Sequence, residues 1–145
     1  MNTRSFEEYL STGVVKRITP DKPRARALIK EAEEKKKFFE LVLTKLTPAQ
    51  ITPNFIIDTC YDILIELIRA KMLTAGYASD KSHEAEVAYL RKINTAEKDV
   101  TFMNELRYYR NGIKYYGKRL DLEYAQKVLT FTQEKYTQLH RIMNS

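Results

Sequence analysis

Several residue types that shape particular folds are scarce in this chain of 145 residues, which has four glycines, four prolines, one cysteine and no tryptophan. Glycine and proline together reach about half of their average frequency, so a β architecture with many tight turns is not expected. The lone Cys60 excludes an intramolecular disulfide and a thiolate metal cluster. Bulk for a hydrophobic core comes instead from ten tyrosines and six phenylalanines.

Long hydrophobic runs are also missing. The most apolar stretch, residues 55–68, is interrupted by Asp58, Asp62 and Glu66 and does not predict a transmembrane helix. These acids share one helical stripe, which is either a solvated face or a carboxylate row that orients a basic partner helix. The N-terminal residues lack the apolar stretch of a secretion signal. We therefore expect a cytoplasmic protein that has no membrane partner.

Common motifs for cofactor and metal chemistry are absent. The sequence has no GxxxxGK[ST] phosphate loop, no GxGxxG dinucleotide fingerprint and no HExxH zinc motif. His83 and His140 fall on different predicted helices, and Cys60 has no cationic neighbour in sequence that would favour the thiolate. We predict no cofactor and no metal site, and we interpret Cys60 as a small buried hydrophobic residue.

Apolar residues recur at helical spacing over most of the chain. Long helices are predicted over residues 21–46, 53–75, 82–93, 96–116 and 121–142, after a short helix near residues 5–10. Phe38 and Phe39 are counted on the apolar side of the first long helix. The short connections imply antiparallel neighbours. We expect an all-α, up-and-down bundle of four to five main helices with no strand, in which residues 1–20 form an arm and residues 21–145 one domain.

The net charge of +6 is concentrated in two regions. Residues 1–30 carry seven basic and three acidic side chains. Residues 101–120 carry five basic side chains and one acid, Glu105. Such patches favour an anionic partner such as nucleic acid, a nucleotide or phosphate, and solvated helix surface is the alternative explanation.

The predicted helix at 96–116 carries two stripes. At about 100° per residue, one line collects the residues expected to face the core, which are Phe102, Leu106, Tyr109, Ile113 and Tyr116. An adjacent line, with Asn111 at its edge, collects the cations Arg107, Arg110, Lys114 and Lys118. Stacked cations repel one another, so this stripe is better placed facing a phosphate or an acidic partner. Gly112 predicts a close approach by a backbone or ligand, or a locally loosened helix.

Four short segments follow one another at characteristic spacing. They are Tyr61-Asp62 with Leu67-Ile68-Arg69-Ala70, the glycine turn Gly76-Tyr77, the helix start Ser82-His83-Glu84-Ala85, and Leu106 followed by Arg110-Asn111-x-x-x-Tyr115. In this order they resemble the HEPN (higher eukaryotes and prokaryotes nucleotide-binding) family over about residues 53–143. The resemblance implies an up-and-down helical bundle that forms a symmetric dimer. In many members it also implies a metal-independent endoribonuclease with an Arg-x(4–6)-His motif.

Arg110 and Asn111 match the Arg-polar pair of this motif, and Tyr115 stands where its histidine is expected. The resemblance implies that the arginine stabilises charge on the scissile phosphate and that the histidine transfers protons. A tyrosine side chain has an ordinary pKa of about 10, so it is a poor base at neutral pH. It does donate hydrogen bonds to phosphate and stack on bases. His83 matches a histidine at the same helix start in relatives and is interpreted as structural, while His140 is expected at the surface.

The sequence leaves three functions open. The first is an HEPN-like nucleotide- or RNA-binding module without efficient catalysis, whose binding residues are Arg107, Arg110, Asn111, Lys114, Tyr115, Tyr116 and Lys118. The second is a metal-independent endoribonuclease of a toxin–antitoxin system, with Arg110 and Tyr115 as catalytic residues and a nucleotidyltransferase antitoxin as candidate partner. The third is a dimerising protein-interaction bundle. We predict a homodimer formed through or beside the helix at 96–116, with RNA or a nucleotide as ligand.

Overall fold

The computed structural model describes residues 2–47 and 49–143. Its elements in chain order are α1 (Phe6–Ser11), β1 (Val15–Arg17), α2 (Lys22–Lys45), α3 (Pro53–Ala75), β2 (Tyr77–Ser79), α4 (His83–Ala88), a 3-10 turn (Tyr89–Ile93), α5 (Glu97–Tyr116) and α6 (Leu122–Met143). The long helices form a bundle, which confirms the prediction of an all-α helical-bundle fold. Over the described ranges, no helix combines the length and the apolar character needed to cross a bilayer.

Capping residues fix the helix ends close to the predicted positions. The Asp21 carboxylate accepts a backbone N–H of the first turn of α2 at 3.1 Å. The Thr52 hydroxyl accepts the N–H of Phe55 at 3.2 Å, and Pro53 begins α3. Gly76 ends α3 with a left-handed φ of 89°.

Helix α3 lies at the centre of the molecule. Most of its side chains are buried, including those of Tyr61, Leu64 and Ile68. Helices α2 and α6 pack along its length, and α4 and α5 also contact it. Because several helices meet on α3, its polar residues lie within reach of side chains from distant parts of the sequence.

The N-terminal arm joins the bundle through a small antiparallel ribbon. Val15 pairs with Ser79 and Arg17 pairs with Tyr77. The prediction of no strand is therefore wrong, because strands of three residues show too little alternation in sequence and this pairing depends on a contact between distant segments. Phe6 of α1 is 1% exposed and belongs to the same core cluster as α3, so the arm is packed against the bundle.

Two further segments differ from their predicted form. The segment expected to be one helix over residues 82–93 divides into α4 and the 3-10 turn, which ends at Asn94 with a φ of 58°. Phe38 is 64% exposed, whereas the core-facing side of α2 passes through Ala32 and Phe39. Ala32 and Phe39 lie on one line of the helix because they are seven residues apart, and Phe38 is turned about 100° away from that line.

Candidate functional site

The buried side of α5 differs from the predicted one. Its buried residues are Val100, Met103, Asn104, Leu106 and Arg110. Leu106 is buried as expected, but Tyr109 and Tyr116 are 38% and 78% exposed, so the prediction that these tyrosines face the core is wrong. The helix is rotated so that the line of predicted cations, rather than the line of tyrosines, approaches α3. Arg110 consequently lies inside the bundle.

Two carboxylates of α3 enclose the Arg110 guanidinium. Its Nε donates to Oδ1 of Asp58 at 3.1 Å, and its Nη2 donates to Oδ1 of Asp62 at 3.0 Å. The Arg110 side chain is 7% exposed, so this charge is held within the protomer. Of the two interpretations of the acidic stripe, these contacts match the carboxylate row that orients a basic helix. They also neutralise the arginine that the sequence offers as a phosphate ligand.

The third acid of the stripe, Glu66, holds a different helix. Lys35 of α2 donates to Oε1 of Glu66, whose side chain is 11% exposed. Burial raises the pKa of Glu66, and the hydrogen bond from Lys35 opposes that shift. The acidic stripe of α3 therefore fixes α5 at its first two positions and α2 at its third.

Tyr61 connects Arg110 to a histidine of α4. The Arg110 guanidinium lies 5.2 Å from the centre of the Tyr61 ring, and the Tyr61 hydroxyl lies 3.2 Å from Nδ1 of His83. Burial lowers the pKa of His83; Glu86 opposes this effect, while the charges of Arg69 and Arg110 add to it. A half-buried imidazole with a lowered pKa is neutral at pH 7 and is able to accept a proton.

Glu86 completes a buried polar cluster at the junction of α3, α4 and α5. It is 1% exposed and accepts two hydrogen bonds from Arg69, at 2.6 Å from Nε and 3.1 Å from Nη2. Its Oε1 also lies 3.7 Å from Nδ1 of His83. We call the following set the buried polar cluster: Asp58, Tyr61, Asp62, Arg69, His83, Glu86 and Arg110. Glu86 is not among the residues predicted from the sequence, although its place between Ala85 and Val87 was a usable signal.

The C-terminal end of α5 has the opposite character. We call the following residues the α5-end surface: Lys114, Tyr115, Tyr116, Lys118 and Arg119. All are exposed, with Tyr115 at 65% and Tyr116 at 78%. The Lys114 ammonium lies 6.0 Å from the Tyr115 ring centre. Within residues 2–47 and 49–143, no carboxylate forms an ion pair with the three cations of this surface.

Two predicted binding residues lie between these regions. Arg107 is half-buried, and its Nε donates to Oδ1 of Asn104 at 2.9 Å. Asn111 is half-buried one position after Arg110. Neither residue belongs to the buried polar cluster or to the exposed end of the helix. The predicted cation stripe is therefore divided into an internal arginine, a half-buried arginine and exposed lysines.

The predicted catalytic partners, Arg110 and Tyr115, are not brought together. Helix α5 continues without a break to Tyr116, and five residues of helix turn two side chains about 140° apart. Arg110 points toward α3, while Tyr115 is exposed. The histidine that does lie beside Arg110 is His83, which comes from another helix and meets it across the Tyr61 ring.

The close approach expected at Gly112 is made by the chain itself. The backbone N–H of Lys118 donates to the Gly112 carbonyl at 3.0 Å, which closes the turn after α5. A Cβ at position 112 would lie 3.2 Å from Cγ of Lys118. Gly112 thus leaves room for the Lys118 side chain to fold over the end of the helix.

The remaining candidates lie elsewhere. His140 is half-buried, hydrogen-bonds Glu33 of α2 at 3.0 Å and stacks on Tyr136. Cys60 is buried, and burial raises the pKa of its thiol to about 11, which agrees with its interpretation as a small hydrophobic residue. Among the described side chains, no group of three histidine, cysteine or carboxylate residues is arranged to hold a metal ion.

Comparisons of the chain with protein-family models, with curated proteins and with solved structures gave no match. The resemblance to the HEPN family therefore depends on the sequence segments quoted above, of which Tyr61, Arg69, His83 and Arg110 meet in the buried polar cluster. The buried polar cluster and the α5-end surface are the features of the chain that bear on its function.

Proposed function

We propose that the chain is an HEPN-like nucleotide- or RNA-binding module whose α5-end surface binds single-stranded RNA. The observation that carries this proposal is the exposure of Tyr115 and Tyr116 beside three cations, Lys114, Lys118 and Arg119, that have no ion-pair partner within the described ranges. Exposed aromatic rings stack on bases, and neighbouring cations follow the phosphate backbone. Single-stranded RNA supplies both groups.

Arg110 has a supporting role in this proposal. Asp58 and Asp62 already satisfy its charge, so it orients α5 on α3 instead of binding phosphate. Arg107 lies two turns before Lys114 and donates to Asn104, and in this proposal it contacts only the edge of the RNA path. The binding residues are thus centred farther along α5 than the sequence analysis places them.

A direct test measures the affinity of a short oligouridylate by fluorescence anisotropy. We expect the double variant Tyr115→Ala/Tyr116→Ala to bind at least about thirtyfold more weakly, since stacking contributes about 1–3 kcal/mol per base and two rings are removed. Lys114→Ala and Lys118→Ala should each weaken binding and reduce its dependence on salt, because each removes a phosphate contact.

Lys98→Ala is the matched control, because Lys98 is an exposed cation in the first turn of the same helix. It should leave affinity and salt dependence close to those of the wild type. Affinity that stays constant in the tyrosine double variant, or between about 50 and 200 mM salt, would contradict the proposed site.

Cleavage of RNA is a second candidate function, and the contact between Tyr61 and His83 favours it. In this candidate the neutral His83 imidazole, rather than Tyr115, accepts the proton of a 2′-hydroxyl as its oxygen attacks the adjacent phosphate. The bond to the 5′-oxygen of the next nucleotide breaks, that oxygen takes a proton from water, and a 2′,3′-cyclic phosphate remains. Cleavage measured in EDTA should then disappear in His83→Ala and persist in Tyr115→Phe. A wild type that binds RNA without cleaving it rules out this candidate and leaves the binding function intact.

A further inference from the structure

Helix α2 carries an exposed apolar pair on its outer side. Phe38 is 64% exposed and Leu41 is 51% exposed, which makes them the most exposed of the large side chains without a polar atom among the described residues. They lie one turn apart, so they form one continuous apolar spot. A different side of the same helix, about 100° from Phe38, packs on α3 through Ala32 and Phe39. A partner that covers the spot therefore approaches from outside the bundle.

Charges of opposite sign flank this pair at equal spacing. Glu34 precedes Phe38 by four residues, and Lys45 follows Leu41 by four residues. At about 100° per residue all four side chains lie within about 60° of one another, on one exposed line. In residues 2–47 and 49–143 neither Glu34 nor Lys45 forms an ion pair. Along this exposed line the chain therefore carries an acidic residue, two apolar residues and a basic residue, in that order.

We propose that this line binds a second copy of the chain, with the two α2 helices antiparallel about a two-fold axis between residues 39 and 40. Phe38 then packs on the partner's Leu41, and Glu34 lies opposite the partner's Lys45. Each contact occurs twice, as in any isologous interface. A parallel arrangement would place Glu34 against the partner's Glu34 and Lys45 against the partner's Lys45, so the charges select the antiparallel one.

This interface differs from the one predicted through α5. That expectation depended on a stripe of cations in need of an acidic or phosphate partner, and Asp58 and Asp62 of the same chain neutralise its central Arg110. The α2 line, in contrast, is complementary to itself. The proposal does not depend on RNA binding, because it involves a different helix.

Sedimentation equilibrium of the full chain tests the apolar contact. The wild type should approach twice the mass of the 17.1 kDa chain as concentration rises. Phe38→Asp should remain monomeric while keeping the helical circular dichroism of the wild type, because the side chain is exposed in the protomer. Leu122→Asp is the control: Leu122 is 39% exposed at the start of α6, and its substitution should leave the dimer intact.

Charge reversal tests the orientation. Glu34→Lys and Lys45→Glu should each raise the dimer dissociation constant about tenfold at low salt, since each replaces two attractive pairs by two repulsive ones. The double variant Glu34→Lys/Lys45→Glu should return close to the wild-type value.

A monomeric wild type at every concentration would overturn the proposal, as would a dimer that survives Phe38→Asp. A double charge variant no tighter than its single parents would overturn the antiparallel arrangement.

Discussion

Arg110 differs from the other cations of α5 because two carboxylates of its own chain enclose it. Its guanidinium bonds Asp58 and Asp62 and lies over the Tyr61 ring. Asp58 and Asp62 keep partial access to solvent, at 45% and 32% exposure, whereas the Arg110 side chain between them is buried. The arginine therefore contributes to stability and to the orientation of α5.

Removal of this side chain should destabilise the fold. We expect Arg110→Ala to lower the free energy of unfolding by about 2 kcal/mol, because it leaves two carboxylates facing each other beside a buried ring. Urea denaturation measures the change. Arg119→Ala, an exposed arginine after the same helix, should stay within about 0.5 kcal/mol of the wild type. Equal losses in the two variants would show that Arg110 is not held as described.

Arg110 stands out in the sequence, but helical periodicity predicts it on the exposed side of α5 whereas it is buried. Counting Tyr109 and Tyr116 as apolar rotated the expected core face, whereas tyrosine hydroxyls favour a partly wet position. The attraction of Arg110 to Asp58 and Asp62 then fixed the rotation. That interaction joins positions about fifty residues apart, and helical periodicity within one segment contains no information about it.

At the scale of elements, interactions between residues close in sequence are sufficient to predict the helices but not to predict the β1–β2 ribbon. Asp21, Thr52 and Gly76 fix helix ends through contacts within a few residues, which is why their positions were predictable. The β1–β2 pairing, in contrast, requires the arm to reach the end of α3. The same distinction explains why the contact of His83 with Tyr61 was not foreseen.

Two features of Gly76, at the junction of α3 and β2, predict that a side chain at this position would destabilise the fold. Its φ is 89°, and a Cβ at this position would lie 2.9 Å from the Ile18 carbonyl oxygen, a backbone atom next to β1. Gly76→Ala should therefore lower the free energy of unfolding by about 2 kcal/mol.

Gly13→Ala is the matched control in thermal denaturation. Gly13 also has a positive φ, of 80°, but nothing lies within 4 Å of its added Cβ. Gly13→Ala should lower the free energy of unfolding by about 1 kcal/mol, because it adds backbone strain alone. A loss at Gly13 that equals or exceeds the loss at Gly76 would contradict the close approach to Ile18.

At the scale of the whole molecule, the polar contacts of α3 unite the bundle while its two proposed surfaces face outward. Glu66 holds α2 through Lys35, and Asp58 and Asp62 hold α5 through Arg110. These contacts leave the outer line of α2 and the end of α5 exposed. The proposed RNA binding and the proposed self-association are therefore open to separate disruption by surface substitutions.

The ribbon also has a consequence for the order of folding events. Arg17 and Tyr77 lie 60 positions apart, whereas α2 and α3 are neighbours in sequence, so closing the arm costs more chain entropy than forming the helical hairpin. The arm should dock after the rate-limiting step. Phe6→Ala, which empties a buried site, should then accelerate unfolding about a hundredfold in stopped-flow experiments and leave the refolding rate nearly unchanged. If most of the loss in stability appeared instead as slower refolding, the arm would belong to the folding nucleus.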